Sequence, residues 1–233
     1  MVGPFNSSCP QGIQVAQLAW TYIHQVGYDP FSLEFPWRFE RTPYTVLVSE
    51  ILLKKTTASQ VRSVFLDFIK KFPEPCILAR SSEEELWHIL RPLGLRRRIF
   101  ELIRIASVLC EKFKGSVPCD WKALLSIPGI GPYIAGAVLS FACELRAPIV
   151  DTGIARFWVR YTAIPIRKRS SPHKDPVLWG CSFAYISAFP GPPSLGNYFL
   201  LDLSREKCVA KRPFCSLCPL ARTCSWARNP VST

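Results

Sequence analysis

Four cysteines near the C-terminal end of the sequence have the spacing of a metal centre. Six, two and five residues separate them, in the order Cys208, Cys215, Cys218 and Cys224. Four thiolates in so short a segment bind zinc, and they equally bind an iron–sulfur cluster. General chemistry does not choose between the two. Lys211 and Arg212 lie between the first two cysteines, and a metal-fixed loop with such cations is suited to phosphate contacts. A solvated basic surface is the alternative.

Two carboxylates stand among apolar residues and are candidates for acid–base chemistry. Glu50 lies between Val48 and Ile51, where burial would raise its pKa, which is the condition for a general acid. An exposed glutamate on the polar face of a helix is the ordinary alternative. Asp151 follows two apolar residues and precedes a predicted helix. Its position alone favours an N-cap, which stabilises a helix by about 1 kcal/mol.

A glycine-containing turn before a predicted helix has the properties of an anion site. Its sequence is Ile127-Pro128-Gly129-Ile130-Gly131. Gly129 and Gly131 permit positive φ and let the backbone come close to a ligand, and N–H groups at the start of the next helix attract anions. A predicted helix start at Asp120 precedes the turn. The segment therefore has the arrangement of a helix–hairpin–helix motif.

The elements that must position these residues are predicted to be helices almost throughout. Apolar residues recur every three or four positions, and alternating strand patterns are nearly absent, so the predicted fold class is all-α. One predicted buried face comprises Leu95, Ile99, Leu102, Ile103, Ala106, Leu109 and Phe113. Helix starts are indicated at Ser82, with Glu85 completing a capping box, and at Asp175 before Pro176. Residues 163–176 and 189–193 are predicted loops.

The composition favours a negatively charged partner and an intracellular location. Among 233 residues, Lys and Arg number 29 against 17 Asp and Glu, a formal charge of +12. This excess suits nucleic acid, although a merely soluble basic surface is the alternative. Neither a secretory signal nor an apolar run of about 18 residues is present, so we expect a cytoplasmic protein without membrane contact. In a reducing compartment the other six cysteines are expected to be unpaired, buried small residues.

Taken together, the cysteine spacing, the hairpin and the segment Val150-Asp151-Thr152 resemble the helix–hairpin–helix DNA glycosylase superfamily, in particular its endonuclease III and MutY-like members. The resemblance covers residues 35–226. It implies two helical domains flanking a DNA-binding cleft and a [4Fe-4S] cluster on the four cysteines. The expected domains are a six-helix barrel at 35–147, with the hairpin motif at about 120–143, and a cluster domain built from 1–34 and 148–233.

The resemblance also implies a reaction and roles for individual residues. The family cleaves the N-glycosidic bond of a flipped-out nucleotide. Asp151 matches the aspartate that stabilises the positive charge developing on the sugar. Glu50 matches a glutamate that faces the extruded base. Members with lyase activity have a lysine where this sequence has Tyr133, so we expect a monofunctional glycosylase.

Residues expected to contact DNA follow from the same resemblance. They are Gly129 and Gly131 in the hairpin, Lys211 and Arg212 beside the cysteines, Arg38 in a Pro-Trp-Arg segment, and Lys55. Relatives insert a glutamine into the base stack at the Lys55 position, so the lysine is a departure from the family pattern. We expect the partner to be double-stranded DNA with a mismatched or damaged base. The protein is expected to be a monomer associated with the nucleoid.

Two subfamilies compete for the substrate. The short thymine–guanine mismatch glycosylases combine the glutamate, tyrosine and aspartate, and one of their sequence motifs resembles residues 54–58. This resemblance favours thymine or uracil opposite guanine as the substrate. The alternative is adenine opposite 8-oxoguanine or guanine. Adenine glycosylases usually append a further domain, whereas nine residues follow Cys224 here. Both subfamilies generally have asparagine where this sequence has Gly153. A remote alternative is a non-catalytic iron–sulfur DNA-binding protein.

Overall fold

Every regular element in the described part of the chain is a helix. The structure, a computed structural model, describes residues 9–31, 35–94, 96–165 and 172–229. No strand occurs in these ranges, which confirms the predicted all-α class.

Thirteen α-helices lie in these ranges, joined by turns and four short 3₁₀ segments. They are α1 Pro10–Val26, α2 Pro36–Phe39, α3 Pro43–Leu52, α4 Ala58–Lys71, α5 Pro75–Ala79, α6 Glu83–Leu90, α7 Arg97–Phe113, α8 Trp121–Leu125, α9 Pro132–Phe141, α10 Thr152–Thr162, α11 Pro176–Ala188, α12 Pro193–Glu206 and α13 Ser225–Arg228. Five of the helices longer than five residues start with proline at the first or second position, where its missing N–H costs nothing.

The chain divides into two units, and the second is built from both ends of the chain. The first unit contains residues 31–143, and the second contains residues 2–30 with 144–233. In the first unit α3 packs against α9 and α5 against α7. In the second unit α1 packs against α11 and α10 against α12. The candidate hairpin therefore belongs to the first unit, while Asp151 and the four-cysteine segment belong to the second.

Local capping signals determine where the helices begin. Ser82 and Glu85 form the predicted capping box at α6, each side chain bonding to the other residue's backbone N–H. Asp120 caps α8 and accepts from the Ala123 N–H at 2.8 Å. Asp175 caps α11 before Pro176. The three predicted starts are confirmed, because a capping side chain and the N–H that it satisfies are neighbours in sequence.

The buried face of α7 was predicted nearly correctly. Ile99, Leu102, Ala106 and Leu109 are each at most 1% exposed. Ile105 is also buried, whereas Ile103 is only partly covered, so the face is turned slightly from the predicted one. Leu95, predicted on the same face, lies outside the described residues, as do residues 166–171 of the predicted basic loop.

Three disulfides correct the expectation for the six cysteines outside the C-terminal segment. They join Cys9 to Cys181, Cys76 to Cys110, and Cys119 to Cys143. The prediction of unpaired buried thiols was wrong, because the fold brings residues as much as 172 positions apart into bonding distance, which sequence spacing does not show. Each bridge stays within one unit. The Cys119–Cys143 bridge encloses α8, the hairpin and α9.

Within the described ranges, none of the helices is both long enough and apolar enough to cross a membrane.

Candidate functional site

The hairpin between α8 and α9 is a tight turn with its tip exposed. The Ile130 N–H donates to the Ile127 carbonyl at 3.1 Å, and both isoleucines are buried. Pro128 and Gly129 between them are exposed, and Gly129 has φ +101°. Proline followed by a residue of positive φ is the sequence of a type II turn, so glycine is required at position 129. The turn is thus held in place by the buried side chains of Ile127 and Ile130, while the backbone between them is exposed to solvent.

The first N–H groups of α9, directly after the turn, are not capped by a side chain of the N-cap residue. Gly131 is the N-cap residue, with extended backbone at φ −96°, and no side-chain cap bond is formed there. Gly131 therefore does not use the left-handed conformation that the sequence suggested for both glycines. Nothing lies within 4 Å of the place where its Cβ would be. The helix start is open to an approaching anion, for which backbone N–H groups and the helix dipole are suited.

Two of the predicted site residues lie on the packed helices α3 and α9 of the first unit. Glu50 is 8% exposed and is flanked in α3 by Ser49 and Ile51, each 1% exposed. Its burial agrees with the expectation from its apolar neighbours. Tyr133 stands in the first turn of α9 and is half-buried. Because α3 packs against α9, the same pair of helices carries the buried carboxylate and the phenol.

Asp151 is the N-cap of α10 in the second unit. Its carboxylate accepts from the Ile154 N–H at 2.6 Å. Burial raises the pKa of Asp151 above its ordinary value, although hydrogen bonds from the Ile154 and Gly153 backbone and the nearby Arg156 charge act in the opposite direction. The side chain is therefore a cap, as its position alone indicated, and also a partly buried carboxylate whose ionisation is costly.

Helix α10 connects Asp151 with the four-cysteine segment. Arg156 donates to the carbonyl oxygens of Ser204 and Cys208, both at 2.8 Å. Arg160, one turn further on, donates to the carbonyl oxygens of Val209 and Ala210 at 2.7 and 2.8 Å. Charged donors make strong bonds to carbonyl groups. The two arginines thus fix the backbone around the first cysteine from the same helix that Asp151 begins.

The four remaining cysteines line one cavity in the second unit. They are unpaired and half-buried, and the cavity wall is completed by apolar side chains, among them Phe157, Leu220 and Trp226. Burial, together with charge on the other three cysteines, raises the pKa of Cys218 to about 11. Such thiols are deprotonated readily only if a positive centre lies between them. In the described ranges no three His, Cys, Asp or Glu side chains are arranged to hold a single metal ion.

The predicted DNA contacts differ in their exposure. Lys55, Lys211 and Arg212 are exposed, and two of them have left-handed backbone, Lys55 at φ 56° and Arg212 at φ 50°. Arg38 is only 7% exposed, and its guanidinium lies over the Phe35 ring at 5.1 Å. A direct contact between Arg38 and a phosphate would require this side chain to leave its buried position.

Three arginines with structural roles were not identified from the sequence. In the sequence Arg98 ends the run Arg96-Arg97-Arg98, which is typical of either a phosphate contact or a solvated helix end. In the structure it is 6% exposed and donates to the Leu52 carbonyl at 2.7 Å and to the Lys54 carbonyl. Arg156 and Arg160 were not singled out. Their spacing of four residues, which places both on one helix face, was the available signal.

Comparison with known proteins gives a consistent result. The family profile described as "HhH-GPD superfamily base excision DNA repair protein" matches residues 48–174. A thymine-DNA glycosylase of Aeropyrum pernix is 36% identical, over 84% of this chain and 88% of its own. A thymine/uracil-DNA glycosylase of Pyrobaculum aerophilum is 39% identical, over 81% and 82%.

More distant relatives and a solved structure complete the comparison. An adenine DNA glycosylase of Buchnera aphidicola is 31% identical over 84% of this chain, but over only 55% of its own length. A solved thermostable thymine-DNA glycosylase has a TM-score of 0.79 and 28% identity, covering 94% of this chain and 97% of its own.

Proposed function

This chain belongs to the HhH-GPD superfamily of base excision DNA repair proteins, and from that membership we propose that it is a DNA glycosylase releasing thymine or uracil that stands opposite guanine. Two relatives named for thymine or uracil are 36% and 39% identical and are matched over more than four fifths of their length. The adenine glycosylase is matched over little more than half. The higher identity of the two thymine or uracil relatives, 36% and 39% against 31%, is the observation that carries the choice of base.

The reaction is hydrolysis of the bond between the base and C1′ of its sugar. As that bond lengthens, the electron pair leaves with the base and the sugar acquires positive charge. The carboxylate of Asp151 stabilises this charge and orients the water whose oxygen then bonds to C1′. For both tasks it must be ionised. The Ile154 and Gly153 N–H groups favour the ionised form, while burial opposes it.

Glu50 acts at the base. Its burial in α3 suits a carboxyl group that holds a proton and donates a hydrogen bond to the departing base, so that negative charge does not build up on the ring. Tyr133, where lyase members have lysine, has no amine to attack the sugar carbon. The product is accordingly an abasic site with its strand intact.

The hairpin holds the DNA backbone. A phosphate at the tip meets the exposed backbone of Gly129 and the uncapped start of α9 beyond Gly131. Lys211 and Arg212 contact phosphates from the second unit, since both are exposed. A formal charge of +12 on the whole chain adds the salt-dependent part of the affinity.

The four cysteines hold a [4Fe-4S] cluster. Their fit to it rests on three features: all four are unpaired, they line one cavity, and the rest of the lining is apolar apart from two cations, Arg160 and Lys207, that suit an anionic centre. Thiolates also bind zinc, and the spacing of the four, which resembles that of the endonuclease III and MutY-like glycosylases, favours the cluster. Arg156 and Arg160 keep the backbone at Cys208 in place for it.

The activity is tested with four duplexes that carry T·G, U·G, A·8-oxoguanine or A·G. Each is incubated with the purified protein and then divided, one half being heated in alkali to break the strand at abasic sites. We expect alkali-dependent cleavage with T·G and U·G. Cleavage without alkali would contradict the assignment of Tyr133, and release of adenine alone would establish the second subfamily.

The non-catalytic alternative is tested with Asp151→Asn. If the protein only binds DNA, this variant behaves as the wild type in every assay. Base release that is undiminished by the substitution would remove Asp151 from the proposed mechanism.

A further inference from the structure

A cavity of about 600 Å³ in the first unit lies beside the hairpin and is lined mainly by basic side chains. Its walls come from the turn between α3 and α4, from the first half of α7, and from the hairpin tip. The lining residues are Lys54, Lys55, Arg97, Arg98, Phe100, Glu101, Arg104, Pro128 and Gly129. Apart from the hairpin glycine and Lys55, none of them has a role in the function proposed above.

Two of the five basic residues are committed to holding the walls together. Lys54 forms an ion pair with Glu101 and donates to the Gly129 carbonyl at 3.3 Å, which joins the turn, α7 and the hairpin. Arg98 is buried and bonds to the carbonyl oxygens of Leu52 and Lys54. These bonds stabilise a turn in which Lys55 has φ 56°, a conformation that costs free energy in any residue but glycine. The cavity is therefore preformed.

The other three basic residues are available to a ligand. Lys55, Arg97 and Arg104 are exposed, and no ion pair is formed by any of them within the described ranges. Glu101 is the only acidic side chain in the lining, and Lys54 neutralises it. The cavity thus presents three uncompensated positive charges, and its ligand must be an anion.

An aromatic ring lies among these charges. Phe100 is 57% exposed and stands on the same face of α7 as Arg97 and Arg104, three residues after one and four before the other. The two arginines are two helical turns apart, about 10 Å along the axis, with the ring between them. A flat apolar surface between two cations matches a nucleotide, which has a flat base between two phosphates. A paired base inside a duplex does not expose its face to such a ring.

We propose that this cavity binds an unpaired nucleotide of the DNA, with its base stacked on Phe100 and the adjoining phosphates held by Arg97 and Arg104. The inference rests on the proposed function, since extrusion of the target nucleotide leaves its former partner unpaired. Continuity with Gly129 gives the strand a path from the hairpin into the cavity. The nucleotide bound here is distinct from the one that is cleaved.

The stacking is tested by fluorescence with a duplex that carries 2-aminopurine opposite a stable abasic-site analogue. Stacking quenches 2-aminopurine, so wild-type protein should change its emission, Phe100→Trp should preserve the change, and Phe100→Ala should abolish it. Leu66→Ala is the matched control, because Leu66 is 60% exposed on α4 and lies outside the cavity. An emission change that persists in a correctly folded Phe100→Ala variant would overturn the proposal.

Affinity provides the second test. Phe100→Ala should weaken binding to the abasic duplex roughly ten-fold or more, and should have a smaller effect on a fully paired duplex of the same sequence. Arg97→Gln and Arg104→Gln should each reduce the slope of log affinity against log salt by about one, whereas exposed Arg62 changed to Gln should not. Equal losses on both duplexes would reject the unpaired nucleotide. Failure of the wild type to release any base would instead reject the proposed function, and that is a separate measurement.

Discussion

Ser204 occupies the space that any side chain at position 153 would need. A Cβ on Gly153 would lie 2.7 Å from the Ser204 Oγ, closer than Cβ atoms approach in real structures, and 3.3 Å from the Ser204 Cβ, which is a tight contact. Ser204 is buried in α12 and its hydroxyl donates to the Leu201 carbonyl, so moving it away would break this bond. The resemblance predicted asparagine at this position; with Ser204 here, any side chain at 153 requires a neighbouring atom to move.

The first prediction is that a smaller residue at position 204 relieves the clash caused by a side chain at position 153. Gly153→Ala should destabilise the protein by about 1–3 kcal/mol through overpacking. It should also slow base release, because the Gly153 N–H bonds to the Asp151 carboxylate. Adding Ser204→Gly should restore part of both losses, as a double-mutant cycle in thermal unfolding and single-turnover kinetics will show. Strictly additive effects would mean that the two residues are not coupled.

The second prediction separates activity from stability at Asp151. Asp151→Asn should reduce base release by about 10²-fold or more, since the carboxylate charge is lost. Burial raises the pKa of Asp151, so its contribution to stability is fully present below its ordinary pKa of 3.8 and is lost as pH rises through the raised value. The asparagine has no charge to bury and still caps the helix.

Its unfolding midpoint should therefore equal or exceed that of the wild type at neutral pH, and the advantage should vanish at about pH 3. For the same reason, wild-type activity should fall on acidification at a pH above the ordinary aspartate range. A variant that is less stable than wild type at neutral pH would show that the charge itself stabilises the fold.

The third prediction concerns the bridge that encloses the hairpin. Replacing Cys119 and Cys143 by serine opens a loop of 24 residues, which should cost about 3 kcal/mol of stability by the chain-entropy estimate. Because the loop contains the phosphate-binding turn, DNA affinity should fall as well. The matched control is the Cys76–Cys110 pair, which joins α5 to α7 and leaves the hairpin enclosed. Its removal should lower the unfolding midpoint without weakening DNA binding at low temperature.

The fourth prediction concerns the arginine that holds the cysteine segment. Arg160→Gln removes bonds to the Val209 and Ala210 carbonyl oxygens, so iron and sulfide per chain should fall, together with absorption near about 400 nm. Arg205→Gln, an exposed arginine on α12, is the control. Full cluster content in the Arg160 variant would show that the segment is held without it.

What could be predicted from the sequence was what depends on neighbours along the chain. The helix starts at Ser82, Asp120 and Asp175 were correct because a cap and its helix are adjacent. The turn at Gly129 could be predicted equally well, since its glycine, proline and flanking isoleucines are consecutive in the sequence. The burial of Glu50 followed from its apolar neighbours in the same helix.

What could not be predicted depends on residues far apart in sequence. The need for glycine at 153 comes from Ser204, on another helix. Arg98 looked like one of three surface arginines, and only the packed structure shows that its guanidinium closes the turn after α3. The pairing of Cys9 with Cys181 likewise depends on α1 lying against α11. The sequence around an arginine, serine or cysteine does not indicate a partner that lies far away along the chain.

The three bridges also bear on how the protein is made. When the three pairs are closed, the chain has four free thiols, and all four line one cavity. A fully reduced chain has ten free thiols that could compete for iron. The two uses of sulfur demand opposite conditions, because oxidation makes disulfides and damages thiolate-bound iron. If the four remaining cysteines hold a cluster as proposed, closing the three pairs before iron binds would keep the other six sulfurs from competing for it.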